Sequence, residues 1–312
     1  MLEEVDLEHV SARCELCPRC CGAGRARGEF GYCRAGSGVK VFRYGPHQGE
    51  EPSISGRRGS GAVFFSCCNL RCIYCQNYRW SQEDRGTVYD VDELAAVFSE
   101  LRAAGCHNWN LVSPTPWLPW IVSSLELAGR DGKPLPVVYN TSGFERVETL
   151  RALQGIVDIY LVDLRYANSE SAAIGSDAAG YAEYARAAVA EMWRQKGTLK
   201  LDEEGVAVSG VICRLLILPG LDGEACSNLR WLADRVGTEI TLSVMAQYTP
   251  AYKARTRSPW DRPVDVDEYS RVCDLVEQLG FDRGWIQDYD TGSRGDMVGF
   301  KMKPVSLCVR DG

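Results

Sequence analysis

Apolar positions along this chain fall into two recurring patterns. Short apolar runs occupy residues 62–67, 110–113, 136–140, 157–164, 211–218 and 240–246. Between them, residues 91–104, 118–128, 145–153, 178–196, 224–236 and 266–279 carry apolar side chains three and four apart, as Leu94, Ala95, Val97, Phe98 and Leu101 do in the first stretch. Turn-forming residues punctuate the runs, with Thr141-Ser142-Gly143 after the third and Pro219-Gly220 after the fifth. Short apolar strands that alternate with helices imply a parallel sheet covered on both faces. Six such units over 61–290 predict an α/β fold, an incomplete (β/α)6 barrel. Residues 1–60 are rich in Cys, Gly and Arg and have little periodicity, so they read as a loop-rich module of their own, with 291–312 as a C-terminal tail.

The 312 residues are 45% hydrophobic and 25% charged, enough to bury a sizeable core and too apolar for a disordered chain. The 35 Lys and Arg against 42 Asp and Glu leave a formal charge of -7, which argues against a general nucleic-acid or anionic-membrane binder. The N-terminus is acidic and lacks the basic and apolar regions of a secretory signal. The best candidate for a membrane span, 111–128, holds three prolines and a glutamate, which disqualifies it. These features predict a cytoplasmic protein with no nucleic-acid and no membrane partner.

Cysteine changes the picture. There are 14, and nine lie between Cys14 and Cys75. In a reducing compartment such clustering points to metal or redox chemistry rather than to a disulfide framework. Cys68, Cys72 and Cys75 form a C-x3-C-x2-C set directly after the first predicted strand. Three thiolates so spaced can hold three irons of a 4Fe-4S cube and leave the fourth open, where the amino and carboxylate groups of S-adenosylmethionine (SAM) can chelate it. Cys14, Cys17, Cys21 and Cys33 form C-x2-C-x3-C-x11-C on the glycine-rich module, a set that suits either a closed zinc site or a second 4Fe-4S cluster.

These motifs resemble the radical SAM superfamily, and more closely its branch of homologues of pyruvate formate-lyase activating enzyme. The resemblance runs along almost the whole chain: CELCPRCCG at 14–22, HQGEEP at 47–52, CQN at 75–77, NLVSPTP at 110–116, VYNTSG at 138–143, DIY at 158–160, LPG at 218–220 and MAQYTP at 245–250. It implies a partial (β/α)6 radical SAM barrel with an N-terminal Cys-rich extension. It also implies reductive cleavage of SAM to methionine and a 5'-deoxyadenosyl radical that takes hydrogen from an unactivated C–H bond. A flavodoxin or ferredoxin would supply the electron. Carried onto this chain, the resemblance places Tyr74 near adenine, with Asn77 beside it in the CQN motif. Ser113 and Thr115 stand where the family often has Gly-Gly-Glu at the SAM amino group, and Asn140 and Ser142 end the third strand. Asp163 and Arg165 resemble an Asp-x-Lys element near SAM, with Arg able to grip a carboxylate in bidentate fashion.

Cys213 precedes Arg214 where relatives are expected to be aliphatic. A thiol across the substrate from SAM returns hydrogen to a carbon radical, which makes Cys213 a candidate donor for epimerisation of a small molecule, a glycan in particular. Strand alternation sets adjacent residues on opposite faces, so Cys213 and Arg214 compete for the lumen unless a bulge intervenes. Trp117, at a strand end, is a candidate pocket residue. The alternative function is an activating enzyme that installs a glycyl radical on a partner protein.

Overall fold

The computed structural model describes residue 10, residues 12–130 and 132–289, and the strand Met302–Pro304; the tail expected over 291–312 otherwise lies outside the described residues. The strands in chain order are β1 (Val39–His47), β2 (Ser60–Phe65), β3 (Thr87–Tyr89), β4 (Trp109–Val112), β5 (Val137–Thr141), β6 (Ile159–Asp163), β7 (Lys200–Leu201), β8 (Ala207–Leu216), β9 (Thr241–Met245), β10 (Gly284–Gln287) and β11 (Met302–Pro304). The helices are α1 (Pro52–Ser55), α2 (Tyr78–Ser81), α3 (Val91–Ala103), α4 (Leu118–Arg130), α5 (Val147–Ala152), α6 (Ser169–Ser176), α7 (Tyr181–Lys196), α8 (Asp222–Arg235) and α9 (Val266–Gln278). Across the sheet the order is β11-β10-β9-β8-β6-β5-β4-β2-β1-β3, with β7 on β8 outside that path.

From β2 to β10 every neighbouring pair on that path is parallel. Antiparallel strands extend both edges, β1 with β3 on one side and β11 on the other. This is the α/β fold with a mostly parallel, open sheet that the six expected strands imply, and β10 adds a further parallel strand. The Cys-rich N-terminal segment is present over Cys14–Cys33.

The segment 1–60, read as loops, departs from that reading at two places. Val39 and Val41 are buried and β1 pairs with β2, so the sheet already begins within this segment. The short alternation of β1, buried only at its start, carries too little period-two signal to be seen in sequence. A few residues later α1 lies against the inner face of the sheet, where Ile54 is fully buried with Val138, Ile159, Leu161, Ala207 and Ile212. Asn108 Nδ2 fastens it by donating to the Ile54 carbonyl at 2.8 Å.

The long helices pack on the outer face. Their apolar stripes meet Val211, Cys213 and Leu215 of β8, Tyr139 of β5 and Tyr160 and Val162 of β6 in one continuous core. Helices α3 and α9 each begin with a capping box, Asp90 with Glu93 and Asp265 with Glu268, which fixes where the chain leaves the preceding loop. The stretch 178–196 starts later than expected, at Tyr181, and α6 precedes it. That helix, mostly Ser, Ala and Gly with Ile174 as its one large apolar residue and Asn168 capping the Glu170 amide at 2.7 Å, has no apolar stripe to announce it.

Candidate active site

The chain leaves β2 through Cys67, whose φ of 69° turns it into the cysteine loop. Two backbone bonds anchor that loop to the end of α6: Arg71 N–H to the Ser176 carbonyl at 3.1 Å and Ile73 N–H to the Gly175 carbonyl at 2.9 Å. The sulfurs it presents are surrounded by donors. Ser176 Oγ donates to Cys72 Sγ at 3.0 Å, Arg165 Nη1 approaches the same sulfur at 3.4 Å, and the Leu70 amide donates to Cys68 Sγ at 3.4 Å. Cys75 Sγ lies 3.3 Å from Ser81 Oγ. Burial pushes the Cys75 thiol up to about 11 and raises Cys68 as well, so both stay protonated at neutral pH until a bound cation displaces the proton.

Beside Cys72 and Cys75 a cavity of about 160 Å³ opens, lined by Tyr74, Asn77, Arg165, Leu216, Gln247 and Tyr248 among others. Tyr74 is buried, its hydroxyl 2.6 Å from that of Tyr166, which is in turn 2.8 Å from Ser176 Oγ. Arg165 pairs with Asp163, and its Nε is buried without a partner among the described residues. Although burial works against the charged carboxylate, Arg214 and Arg165 together hold Asp163 below the usual range. Arg165 lines this cavity, and a guanidinium at a cavity wall is suited to an anionic ligand group, which a carboxylate fits by charge and shape.

On the inner face a polar layer lies above α1. Arg214 is its hub: Nε donates to Asp163 Oδ1 at 2.6 Å, Nη2 to Asn140 Oδ1 at 2.6 Å, and Nη1 reaches Glu50 Oε2 at 3.5 Å. Glu50 Oε1 also accepts from Asn110 Nδ2 at 3.1 Å and Asn140 Nδ2 at 3.2 Å. Glu51 is fully buried next to this group, and burial, resisted by Arg214, pushes its carboxyl up to about 7. Sequence reasoning noted the HQGEEP segment and the preference of Arg214 for the lumen, but had no means of joining them, because Glu50 and Arg214 stand 164 positions apart.

Residues 62–226, from β2 into α8, match the Radical SAM superfamily over just over half of the chain. The chain belongs to the Radical SAM superfamily. It is an enzyme that cleaves SAM and works by radical chemistry, as the superfamily does. Along 286 residues it is also 27% identical to the uncharacterized protein MJ0674 of Methanocaldococcus jannaschii, an alignment that covers 88% of this chain and 77% of that protein. Among the described residues no helix is long and apolar enough to cross a membrane.

Within this radical SAM fold the other expected contacts are distributed unevenly. Ser113, at φ 59°, and Ser142 line a small hollow with Cys68, Asn69, Pro116 and Thr141. Gly143 after Ser142 takes φ +83° and sits where a Cβ would come within 2.3 Å of the Asp163 carbonyl, so only glycine lets the β5 loop close against β6. Thr115 is buried, and its hydroxyl donates to Glu145 Oε1 at 2.6 Å. Both ends of the Asn140 amide are engaged by Glu50 and Arg214. Trp117 belongs to the outer core, where its indole donates to the Ser66 carbonyl at 2.7 Å.

Glu145 escaped sequence reasoning because nothing in its local pattern marks it. It is fully buried beneath Thr115 and Thr141, and burial, resisted by those two hydroxyls, pushes it up to about 7. The folded protein therefore keeps a proton that the unfolded chain releases above the ordinary glutamate range, and stability falls as pH rises from about 4.5 to about 7. The span corresponds to about 3 kcal/mol. Glu145→Gln is expected to flatten this part of the stability profile, measured by urea unfolding between pH 4.5 and 8; an unchanged slope would mean Glu145 is ionised throughout.

Cys213, the expected hydrogen donor, sits in the large core cluster. The competing demands of Cys213 and Arg214 resolve in favour of the arginine: β8 continues in regular register with β6 and β9, and Cys213 packs fully buried in the core under the helices. With Arg214 reaching Asp163, Asn140 and Glu50, strand alternation turns the neighbouring thiol away from the lumen. Cys67, Cys106, Cys226 and Cys273 also pack in or against the outer core. Cys213→Ala should therefore leave SAM cleavage at the wild-type rate and cost about 1 kcal/mol in stability. A loss of turnover without loss of stability would return Cys213 to the reaction.

In the N-terminal segment Cys14 and Cys33 are buried, Cys17 is half-buried and Cys21 is exposed. The segment is bound to the barrel loops: Arg146 Nη1 donates to the Glu15 carbonyl at 2.8 Å, Thr149 Oγ1 to the Leu16 carbonyl at 2.9 Å and Arg19 Nε to the Asn69 carbonyl at 3.0 Å. Cys21 Sγ lies so close to Gly31 that a Cβ there would stand 2.3 Å from the sulfur. A single zinc ion asks four sulfurs to converge at about 2.3 Å. Among the described residues no three His, Cys, Asp or Glu side chains stand together as a single bound ion would hold them.

Proposed function

We propose that this enzyme binds a 4Fe-4S cluster on Cys68, Cys72 and Cys75 and abstracts hydrogen from a small polar molecule held over the inner face of the sheet. The observation that carries this reading is the donor-surrounded Cys72 sulfur beside a cavity that also exposes Arg165. A 4Fe-4S cluster held by Cys68, Cys72 and Cys75 would supply the one electron for reductive cleavage of SAM into methionine and a 5'-deoxyadenosyl radical. Within the cavity, Arg165 grips the SAM carboxylate, while Tyr74 and Tyr248 wall the space and exclude water. The Asp163–Arg165 pair keeps the guanidinium oriented.

Glu50, Asn110, Asn140 and Arg214 form a polar layer of acceptors and donors in which Asn110 Oδ1 stays unpaired among the described residues, a surface suited to a hydrogen-bonding substrate. A carbohydrate meets that description. Cys67, Cys106, Cys213, Cys226 and Cys273 pack in or against the large core cluster, and an epimerisation would draw on a donor other than Cys213. The N-terminal cysteines Cys14, Cys17, Cys21 and Cys33 form a second metal centre, a 4Fe-4S cluster or a zinc site, since four thiolates suit either. A flavodoxin or ferredoxin delivers the electrons.

The test is anaerobic turnover of reconstituted protein with SAM and dithionite against a panel of deuterium-labelled sugars and other small polar molecules. Transfer of deuterium into 5'-deoxyadenosine from a small molecule supports the reading. A glycyl-radical signal on an added protein, with no stimulation by any small molecule, would favour the activating-enzyme alternative instead.

A further inference from the structure

Arg25 is buried to 3% exposure, and among the described residues it has no carboxylate partner. The barrel's buried arginines differ in this respect, since Arg165 rests on Asp163 and Arg214 on Asp163 and Glu50. A guanidinium cannot shed its proton, so a buried one requires a compensating anion or imposes several kcal/mol of desolvation. The atoms around it are sulfurs, a carbonyl and rings. Nη2 lies 3.0 Å from Cys14 Sγ and 4.0 Å from Cys33 Sγ, and Nη1 donates to the Pro116 carbonyl. The rings of Trp117 and Trp120 stand 6.0 and 5.8 Å away and add only a weak attraction.

We infer that Arg25 is the countercharge of the N-terminal metal centre, stabilising Cys14 and Cys33 as anionic ligands. The inference rests on the proposed metal centre at Cys14, Cys17, Cys21 and Cys33. A neutral thiol is a poor acceptor for a charged donor, whereas a thiolate set remains negative overall around either zinc or a 4Fe-4S cluster. Through the Pro116 carbonyl the same guanidinium ties this centre to the loop that follows β4 and carries Ser113 and Thr115. Arg25 is therefore a positioning residue whose value depends on the metal being present.

That dependence gives a readout which a merely structural arginine would not show. In the full chain carrying Ala at positions 68, 72 and 75, the remaining metal is held by the N-terminal cysteines. Arg25→Met and Arg25→Lys are introduced there and in the otherwise intact chain. Iron, sulfide and zinc are assayed after loading, chelator-driven metal loss is timed, and melting is compared in loaded and stripped protein. Arg25→Met is expected to lose metal at least tenfold faster, with Arg25→Lys between it and the parent. Its melting temperature should fall in the loaded protein, yet equal or exceed the parent in the stripped protein, where removing an uncompensated charge relieves the fold. An equal fall in both forms, or failure of Arg25→Met to fold in either, overturns the inference and leaves the metal centre standing. Absence of metal from the parent with Arg25 intact overturns the metal centre itself.

Discussion

Simultaneous replacement of Cys68, Cys72 and Cys75 by Ala is expected to abolish 5'-deoxyadenosine formation from SAM, reducing it to the level of a protein-free blank under anaerobic dithionite. The three thiols sit on one loop after β2, held by Arg71 and Ile73 to the end of α6. No other described cysteines are placed beside Arg165 and the cavity it lines, so nothing nearby can take over. The variant should remain folded, because this loop is anchored by backbone bonds rather than by the sulfurs. It should also retain metal at the N-terminal set, which is measured by iron, sulfide and zinc content. Undiminished SAM cleavage would refute the ligand assignment.

The second large effect is on stability. Arg214→Leu should destabilise the protein by about 3–5 kcal/mol, the usual penalty for breaking a buried ionic network by removing one partner. Arg214 meets Asp163, Glu50 and Asn140 at once and is itself largely buried. Its loss leaves Glu50 and Glu51 as buried carboxyls whose ionisation burial already opposes. Both would be held protonated to still higher pH, and a carboxyl raised in the folded state destabilises as pH climbs above the unfolded value. The deficit should therefore be larger at pH 8 than at pH 5, as measured by anaerobic urea unfolding. A loss independent of pH would mean that packing, not charge, is what Arg214 supplies. Arg214→Lys should recover part of the stability through charge alone while losing the contact to Asn140.

The alternation of strands and helices was legible because six of the parallel strands are largely apolar runs and each long helix has an apolar stripe, whereas β10 is only four residues long with Gly284 and Gln287 at its ends. The exceptions have local reasons. β1 is buried at one end only, α6 lacks an apolar face, and α1 is a four-residue helix whose single fully buried apolar side chain is Ile54. The C-x3-C-x2-C loop was legible because ligand spacing is a one-dimensional signal. Glu145 was not, because a buried carboxyl differs from a surface one only by what folds over it.

By itself the sequence determined the α/β class, the order of the units, the family and the two cysteine sets, all of which are encoded by residues close in the chain or by collinear motifs. Tertiary structure decided which polar groups meet. It brought Glu50 to Arg214 and Arg25 to Cys14, and it set Thr115 on Glu145. It also turned Cys213 outward, since in regular strand register only one of two adjacent residues can face the lumen, and Arg214 has its ionic partners there. Pairings across the barrel depend on register and closure, which no local pattern contains.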